Sequence, residues 1–503
     1  MNQLFYGDNL DVLQKYIGDE TVDLCYVDPP FNSKRNYNQI YNNIGKDDIA
    51  QSQAFVDTWM WGQSAEQQLE LLYKDQRFTR RLVDTILGLE KILGKGAMLA
   101  YLVNMAVRFV EIWRVLKPTG SFYVHCDPTA SHYLKILLDS IFCNTSGDFR
   151  NEIIWHYSGW NKKLKNKFES RHDVILFYAK SDDAQQFSSF SIPWASEDEY
   201  IKKRKQKVFT DENGDRYVKS DAGSGKRTKR FLEEAMKYGS PVDDVWNIDK
   251  INNSSKEKLG YPTQKPLALL ERIIQASSNE GDMVLDVFCG CGTTVDAAHS
   301  LNRKWIGIDI TYNSISLILK RLKDRYGSDI EQEIQLTGVP KDIESAKALA
   351  HKKDDRLRKE FEKWAILTYT DNQGKINEKK GSDRGFDGVA YILNGTALFS
   401  VKSGNVSVKD VRDLRGVMDR EEAAAGVLLT LENPTRPMLQ EAAVLGTLPD
   451  PPGLRLPKKI QKLQIVTIQE MLDGARMNLP CPESVVKSAE QHKPKKNNRK
   501  FEF

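Results

Sequence analysis

The chain has 503 residues and a mass of 57.4 kDa, and its 40% hydrophobic content is enough for two or three cored domains. A net charge of +4 is too small to name a partner, and no uncharged apolar run is long enough to cross a bilayer. The six cysteines are scattered and the start lacks a charged-then-apolar signal, which predicts reduced thiols and a cytoplasmic, intracellular location.

The first informative element is Val22-Asp23-Leu24-Cys25-Tyr26-Val27, a short apolar run bounded by turn formers that predicts a buried strand. It runs into Asp28-Pro29-Pro30-Phe31. The prolines fix φ and remove two N–H groups, and each holds the residue before it extended. The product is a rigid strand end that offers only acceptors, the Asp28 carboxylate and the carbonyls of Asp28 and Pro29, beside an aromatic ring. Such a set suits an exocyclic amino group on a flat heterocycle; the plainer reading is a strand-to-loop turn without chemistry. Further on, 96–116 reads as an amphipathic helix, its apolar run broken by Arg108, Glu111 and Arg114. Two basic clusters follow, Lys202-Lys203-Arg204-Lys205-Gln206-Lys207 and Lys226-Arg227-Thr228-Lys229-Arg230, interleaved with Tyr200, Phe209, Tyr217 and Phe231. By charge alone these are as well explained by solvated faces as by phosphate contact.

Asp282 to Phe288 predicts a second strand, followed by Cys289-Gly290-Cys291-Gly292-Thr293-Thr294 and a helix from Val295 to Leu301. A glycine turn between strand and helix lets backbone approach a cofactor and presents the N–H groups of the helix start. The next strand, Lys304 to Ile308, ends at Asp309, where a carboxylate is placed to hold ribose hydroxyls. A dinucleotide site is the first alternative. The loop is shorter than GxGxxG, however, and an upstream strand ends in an amine-binding tetrapeptide, a pairing that points to S-adenosylmethionine.

Read in order, Gly7-Asp8-Asn9, the Asp28 tetrapeptide, Glu111 to Pro118, Gly120 to Asp127, Asn151 to Trp155, His172 to Tyr178 and Tyr261-Pro262-Thr263-Gln264-Lys265-Pro266 resemble one family. It is that of the amino-methylating DNA methyltransferases, in the permuted (beta) group whose catalytic motif precedes the cofactor motif, and the likeness covers about residues 1–330. The resemblance implies an α/β fold, a Rossmann-like, mixed and mostly parallel methyltransferase sheet with cofactor and base pockets side by side at the carboxyl ends of adjacent strands. It implies catalytic roles for Asp28, Pro29, Pro30 and Phe31. S-adenosylmethionine would be held by Asp8, Lys265, Asp286, Phe288, Gly290, Gly292, Thr293, Thr294 and Asp309. A target-recognition region at 185–260 would turn Lys202, Lys203, Arg204, Lys205, Lys226, Arg227, Lys229 and Arg230 towards double-stranded DNA. The target base must leave the stack to be reached; Phe31 would stack on it, and Asp28 with the Pro29 carbonyl would accept its amino hydrogens. No metal or covalent intermediate is required. An aspartate at the first motif position favours N6 of adenine, with N4 of cytosine the alternative; an asparagine there would have pointed to a protein amide.

Other constellations receive plainer readings. His125, Cys126, Asp127 and His132 sit where a strand ends and a helix begins, and structural roles outweigh zinc. Cys289 and Cys291 alternate with glycines, where small size is the requirement, and Trp59, Trp61 and Trp113 are expected to pack.

Beyond about residue 340 the pattern changes. Asp342 to Tyr369 has helical spacing, Thr396 to Lys402 predicts a strand, Val408 to Ala424 a helix and Gly426 to Leu431 an apolar strand. Asp387 on one strand and Val401-Lys402 at the end of the next resemble the PD-(D/E)xK core of restriction endonucleases. The resemblance implies Mg²⁺ at Asp387, a polarising Lys402 and assistance from Glu362. Ser400 stands where that core carries a second carboxylate or a glutamine, which weakens Mg²⁺ binding because hard cations need carboxylate oxygen. A working nuclease, a nuclease fold kept to grip DNA, and an unrelated α/β module all remain open.

The expected organisation is a methyltransferase at 1–335, a helical linker at 336–360, a restriction-endonuclease-like domain at 361–480 and a basic flexible tail at 481–503. The expected function is site-specific DNA methylation, with a bifunctional enzyme that also cleaves DNA as the alternative and a homodimer or a restriction-system partner as the expected assembly.

Overall fold

The computed structural model describes residues 1–30, 61–143, 146–159, 164–194, 196–221, 227–252, 254–261, 263–351, 355–377, 385–451, 455, 458–482 and 489. Phe31, Trp59, Lys226 and the 493–500 stretch lie outside the described residues.

Nine strands of the first sheet follow in chain order: β1 (Asn2–Tyr6), β2 (Val22–Val27), β3 (Leu116–Cys126), β4 (Asp148–His156), β5 (His172–Ala179), β6 (Val245–Asn247), β7 (Met283–Asp286), β8 (Lys304–Asp309) and β9 (Ile334–Thr337). Their spatial order is β6-β4-β5-β3-β2-β7-β8-β1-β9. Only β5 runs against its neighbours, pairing antiparallel with β3 and β4, so the sheet is mixed and mostly parallel. Central parallel strands are covered on both faces, which is why β2 reads as a continuous apolar run rather than an alternation. Leu24 and Tyr26 enter one core with the helices Leu267–Ser277 and Tyr312–Tyr326; Cys25 and Val27 enter another with Arg80–Leu93, Ala97–Val115 and Ser131–Ile141.

Between β5 and β6 lies a separate antiparallel sheet, Val208–Thr210, Arg216–Asp221 and Arg227–Phe231, with the helix Glu197–Arg204. Trp194, Tyr200, Val218, Leu232 and Ala235 give this region a small core of its own.

The second large sheet comprises β10 (Lys375–Ile376), β11 (Gly388–Ile392), β12 (Gly395–Lys402), β13 (Ala425–Thr430) and β14 (Leu463–Thr467), in that spatial order. Its leading strands are antiparallel, while β12, β13 and β14 are parallel. The helix Asp355–Tyr369 runs without a break across position 360 and packs on the second sheet and on the helix Tyr312–Tyr326 that covers the first. Phe361, Trp364, Ala365 and Ile366 join Tyr6, Ile315 and Ile318 on one side and Phe399 and Val427 on the other in one continuous core.

Element ends differ from the sequence expectations for local reasons. The strand expected to Phe288 stops at Asp286, because the Asp286 carboxylate accepts the Phe288 amide and turns the chain. The following helix starts at Thr293, released by Gly292 at φ +74°. The helix expected to Ala424 ends at Arg420, where Glu422 takes φ +54°. The stretch 342–369 forms two helices, Ile343–Ala350 and Asp355–Tyr369. No helix among the described residues is long and apolar enough to cross a membrane.

Candidate active site

β2 and β7 are neighbouring parallel strands, with Leu24 opposite Val284 and Cys25 opposite Leu285. The chain therefore leaves the sheet at Asp28 and at Asp286 side by side. β8 lies next to β7 and ends at Asp309, and β1 follows, its exit bonded to β8 through Gly7 N and Asp309 O at 2.9 Å. The segments around 28 and 290 thus share one edge of one sheet.

Each carboxylate there has a built environment. Asp286 accepts from Thr294 Oγ1 at 2.5 Å and from Phe288 N at 3.0 Å. Asp309 accepts from Gly290 N at 2.9 Å through Oδ2, and from Thr311 N at 2.9 Å and Thr311 Oγ1 at 3.0 Å through Oδ1. Burial pushes Asp286 up to about 7 and Asp309 up to about 6, against the lowering effect of these bonds. Asp8 caps the helix Asn9–Tyr16 through Leu10 N and is paired with the buried Arg108 at 3.2 Å. Arg108 also donates to Asn9 Oδ1 at 2.6 Å, and Asn9 Nδ2 donates to Val287 O at 2.9 Å, which ties this helix to the end of β7.

The loop is shaped for close approach. Gly290 has φ +49° and Gly292 φ +74°. A Cβ on Gly290 would stand 3.2 Å from the Tyr261 ring, and one on Gly292 would collide with Ile318 Cγ1 at 2.7 Å. Thr293 and Thr294 are buried in the first helical turn. Bare backbone flanked by buried acceptors fits a nucleoside-bearing cation such as S-adenosylmethionine: acceptors for ribose hydroxyls and negative charge for a sulfonium.

Lys265, expected among the cofactor ligands, also reaches the tetrapeptide. Its ammonium is bonded to Asp28 Oδ2, at the tetrapeptide. Pro29, next in the chain, is buried. A second group escaped the sequence reading. Tyr26, His125 and Asp173 form a row across β2, β3 and β5: Tyr26 Oη meets His125 Nδ1 at 3.0 Å, and His125 Nε2 meets Asp173 Oδ2 at 3.4 Å. Tyr157 donates to Asp173 Oδ1 at 3.2 Å, and Lys250 lies 3.8 Å from Asp173 Oδ2. Burial lowers the His125 pKa, which favours the neutral ring; burial works to raise Asp173, but its hydrogen bond with His125 and the nearby positive charges outweigh that and hold it well below the usual carboxylate range. His125 is thus a cross-strand link, Cys126 lies in the core, and Asp127 accepts from Thr129 N and Ala130 N ahead of a helix. The partnership joins positions 26, 125 and 173; His125 was visible in the sequence, but not its neighbours.

In the basic region, Lys202, Lys203, Arg204 and Lys205 lie exposed at the end of one helix, and Arg227 and Lys229 on the three-stranded sheet. Lys203 is 5.5 Å from the Trp194 ring; Lys229 lies 4.6 Å from Tyr217 and 4.5 Å from Phe231, and is paired with Asp211 at 2.5 Å. Arg230 is half-buried against Tyr238.

In the second sheet, Asp387 Oδ2 accepts from Val401 N at 2.7 Å, which brings Asp387 against the end of β12. Lys359 bridges Glu362 at 2.7 Å and Asp387 at 4.0 Å. Burial and Asp387 raise the Glu362 pKa, and Lys359 and Lys402 pull it down, so Glu362, Asp387 and Lys402 share one electrostatic neighbourhood. Ser400 is buried on β12. No described group of three or more His, Cys, Asp or Glu side chains is placed to hold a metal ion, and two carboxylates are a sparse set for Mg²⁺.

A DNA methylase family model matches residues 22–320, and a restriction endonuclease model matches residues 357–448. The Type II methyltransferase M.HpaI of Haemophilus parainfluenzae is 29% identical over 46% of this chain and 63% of its own length. The DNA adenine methyltransferase YhdJ of Escherichia coli K12 is 26% identical over 63% of this chain and 82% of its own. The Type II methyltransferase M.BamHI of Bacillus amyloliquefaciens is 26% identical over 65% and 58%. The chain therefore spans about three fifths of M.HpaI and M.BamHI. Among solved structures, the cytosine-N4-specific PvuII DNA methyltransferase aligns at a TM-score of 0.34 and 15% identity, covering 63% of this chain and 85% of that one. With the methylase match extending over residues 22–320 of 503, the chain belongs to the DNA methylase family.

Proposed function

We propose that this protein is a site-specific DNA methyltransferase that moves a methyl group from S-adenosylmethionine to the exocyclic amino group of a flipped base, N6 of adenine in preference to N4 of cytosine. The observation that carries the reading is the adjacency of β2 and β7, which sets the Asp28 acceptors beside the glycine loop and the carboxylates Asp286 and Asp309.

When bound, S-adenosylmethionine supplies an electrophilic methyl group on a sulfonium. The chain does the rest. Pro29 and Pro30 remove donors and keep the strand end extended. Asp28 and the Pro29 carbonyl accept the two amino hydrogens of the base, which frees the nitrogen lone pair and stabilises positive charge as it develops there. Phe31 stacks on the extruded ring. Asp309 and Asp286 accept from the cofactor, the glycines leave it room, and Asp8, Phe288, Thr293 and Thr294 line the same edge. Lys265 must release Asp28 before the amino group can use it, and its flexible stem allows that movement. Holding both reactants in line supplies much of the rate.

Lys202, Lys203, Arg204, Lys205, Arg227, Lys229 and Arg230 are the phosphate contacts of region 185–260 in this reading. The preference for adenine rests on the aspartate at position 28, and the relatives include an adenine methyltransferase. The decisive experiment is sequencing DNA from cells that express the chain, with Asp28→Ala cells as control. N6-methyladenine in a fixed context is expected. N4-methylcytosine would reassign the base, and unmodified DNA would end the reading.

A second reading, a bifunctional enzyme that also cleaves DNA through 361–480, is favoured by one observation: Asp387 is bonded to Val401 N beside Lys402 at the end of β12, and Lys359 bridges Asp387 and Glu362.

A further inference from the structure

We propose that Glu360, on the helix that leads into the second sheet, is a positioning residue of the cofactor site; the proposal rests on the methyltransferase reading above. Glu360 is 6% exposed, and its Oε2 accepts from Tyr312 N at 3.0 Å and from Tyr6 Oη at 3.4 Å. Its Oε1 is paired with Lys363 at 2.8 Å. Tyr312 is the first residue of the helix Tyr312–Tyr326, and Thr311 caps that helix. A first-turn amide has no partner within its own helix, and a carboxylate there both satisfies it and meets the positive end of the helix dipole.

Thr311 is the residue whose amide and hydroxyl hold Asp309. Asp309 is therefore fixed from the loop side by Gly290 N and from the other side by a segment that Glu360 pins one residue further on. The same helix face adds Thr368, bonded to Tyr312 Oη at 2.9 Å. The acceptor assigned to the ribose hydroxyls is thus located by a carboxylate from outside the methylase match at 22–320.

The test is calorimetric titration of the full-length protein with S-adenosylmethionine. Glu360→Ala is expected to weaken binding about tenfold. Glu360→Gln, whose amide oxygen still accepts from Tyr312 N, is expected to stay within about threefold of wild type, and Tyr6→Phe likewise. Equal affinity of wild type and Glu360→Ala would overturn the proposal. Wild-type protein that takes up no S-adenosylmethionine is a failure of the methyltransferase reading itself and is seen before any variant is made. Should Glu360→Ala not fold, hydrogen exchange at the Tyr312 amide of wild type decides: protection unchanged by saturating S-adenosylmethionine overturns the proposal.

Discussion

Lys265 and Asp28, 237 positions apart in the chain, form an ion pair at the sheet edge with side chains only 12% and 16% exposed. Removing one partner leaves the other charge poorly solvated. Lys265→Met and Asp28→Asn should each cost about 1–3 kcal/mol of stability, and the double variant should cost less than their sum. Denaturant unfolding of the four proteins measures this. Strict additivity would mean the pair contributes nothing.

Asp28→Ala should reduce methyl transfer by at least about 10²–10³-fold, because the acceptor for the amino hydrogens is lost at the point where charge develops. Binding of S-adenosylmethionine should survive, since Asp286, Asp309 and the loop are untouched. Near-normal methylation by this variant would take Asp28 out of the mechanism.

Cofactor binding should depend on pH in a stated direction. Burial raises Asp309 to about 6 and Asp286 to about 7, so each is charged only above those values. For the fold alone the raised values mean that both groups favour the folded chain most at low pH, and this contribution falls as pH rises through 6 and 7. For a sulfonium ligand the slope is opposite, because only the ionised carboxylates attract it. Titrations between pH 5 and 8 should show tightening affinity, with the lower part of the rise lost in Asp309→Asn. A flat wild-type profile would contradict the assignment.

Gly292→Ala should cost about 2 kcal/mol or more, because a Cβ at φ +74° would stand 2.7 Å from Ile318 Cγ1. Thermal unfolding and cofactor titration should both register the change. A variant with wild-type melting and affinity would show that the loop has slack that this geometry lacks.

If the second reading holds, purified protein with Mg²⁺ and unmethylated plasmid would give cleavage that chelation stops and that Lys402→Ala and Glu362→Gln each reduce about 100-fold or more. Cleavage that persists in Lys402→Ala would eliminate this site. No cleavage under any condition would leave a fold that only grips DNA.

Some of this was legible from residue patterns because it is local. The run 22–30 announces its strand and turn within nine positions, and the loop from Cys289 to Thr294 shows its glycines directly. What the sequence hid are pairings between distant strands and helices. The bond between the Lys265 ammonium and Asp28 joins positions 237 apart, which no local pattern links. Asp173 read as an ordinary strand residue because its role depends on β5 lying against β3, an adjacency no local pattern encodes. Glu360 looked like one charge among many on a charged helix, and only the docking of that helix buries it.

The core shared through the helix Asp355–Tyr369 has a consequence for how such a chain can change over time. Phe361 and Trp364 sit in that shared core, so neither half is a detachable cassette. The segment 194–236, with its private core around Trp194 and Val218, is separate from the two larger cores, whereas Trp246 on β6 belongs to the first sheet and the shared core. If the proposed reading holds, a lineage could acquire new target sequences by replacing that insert, while the two halves joined by the shared core would be inherited together.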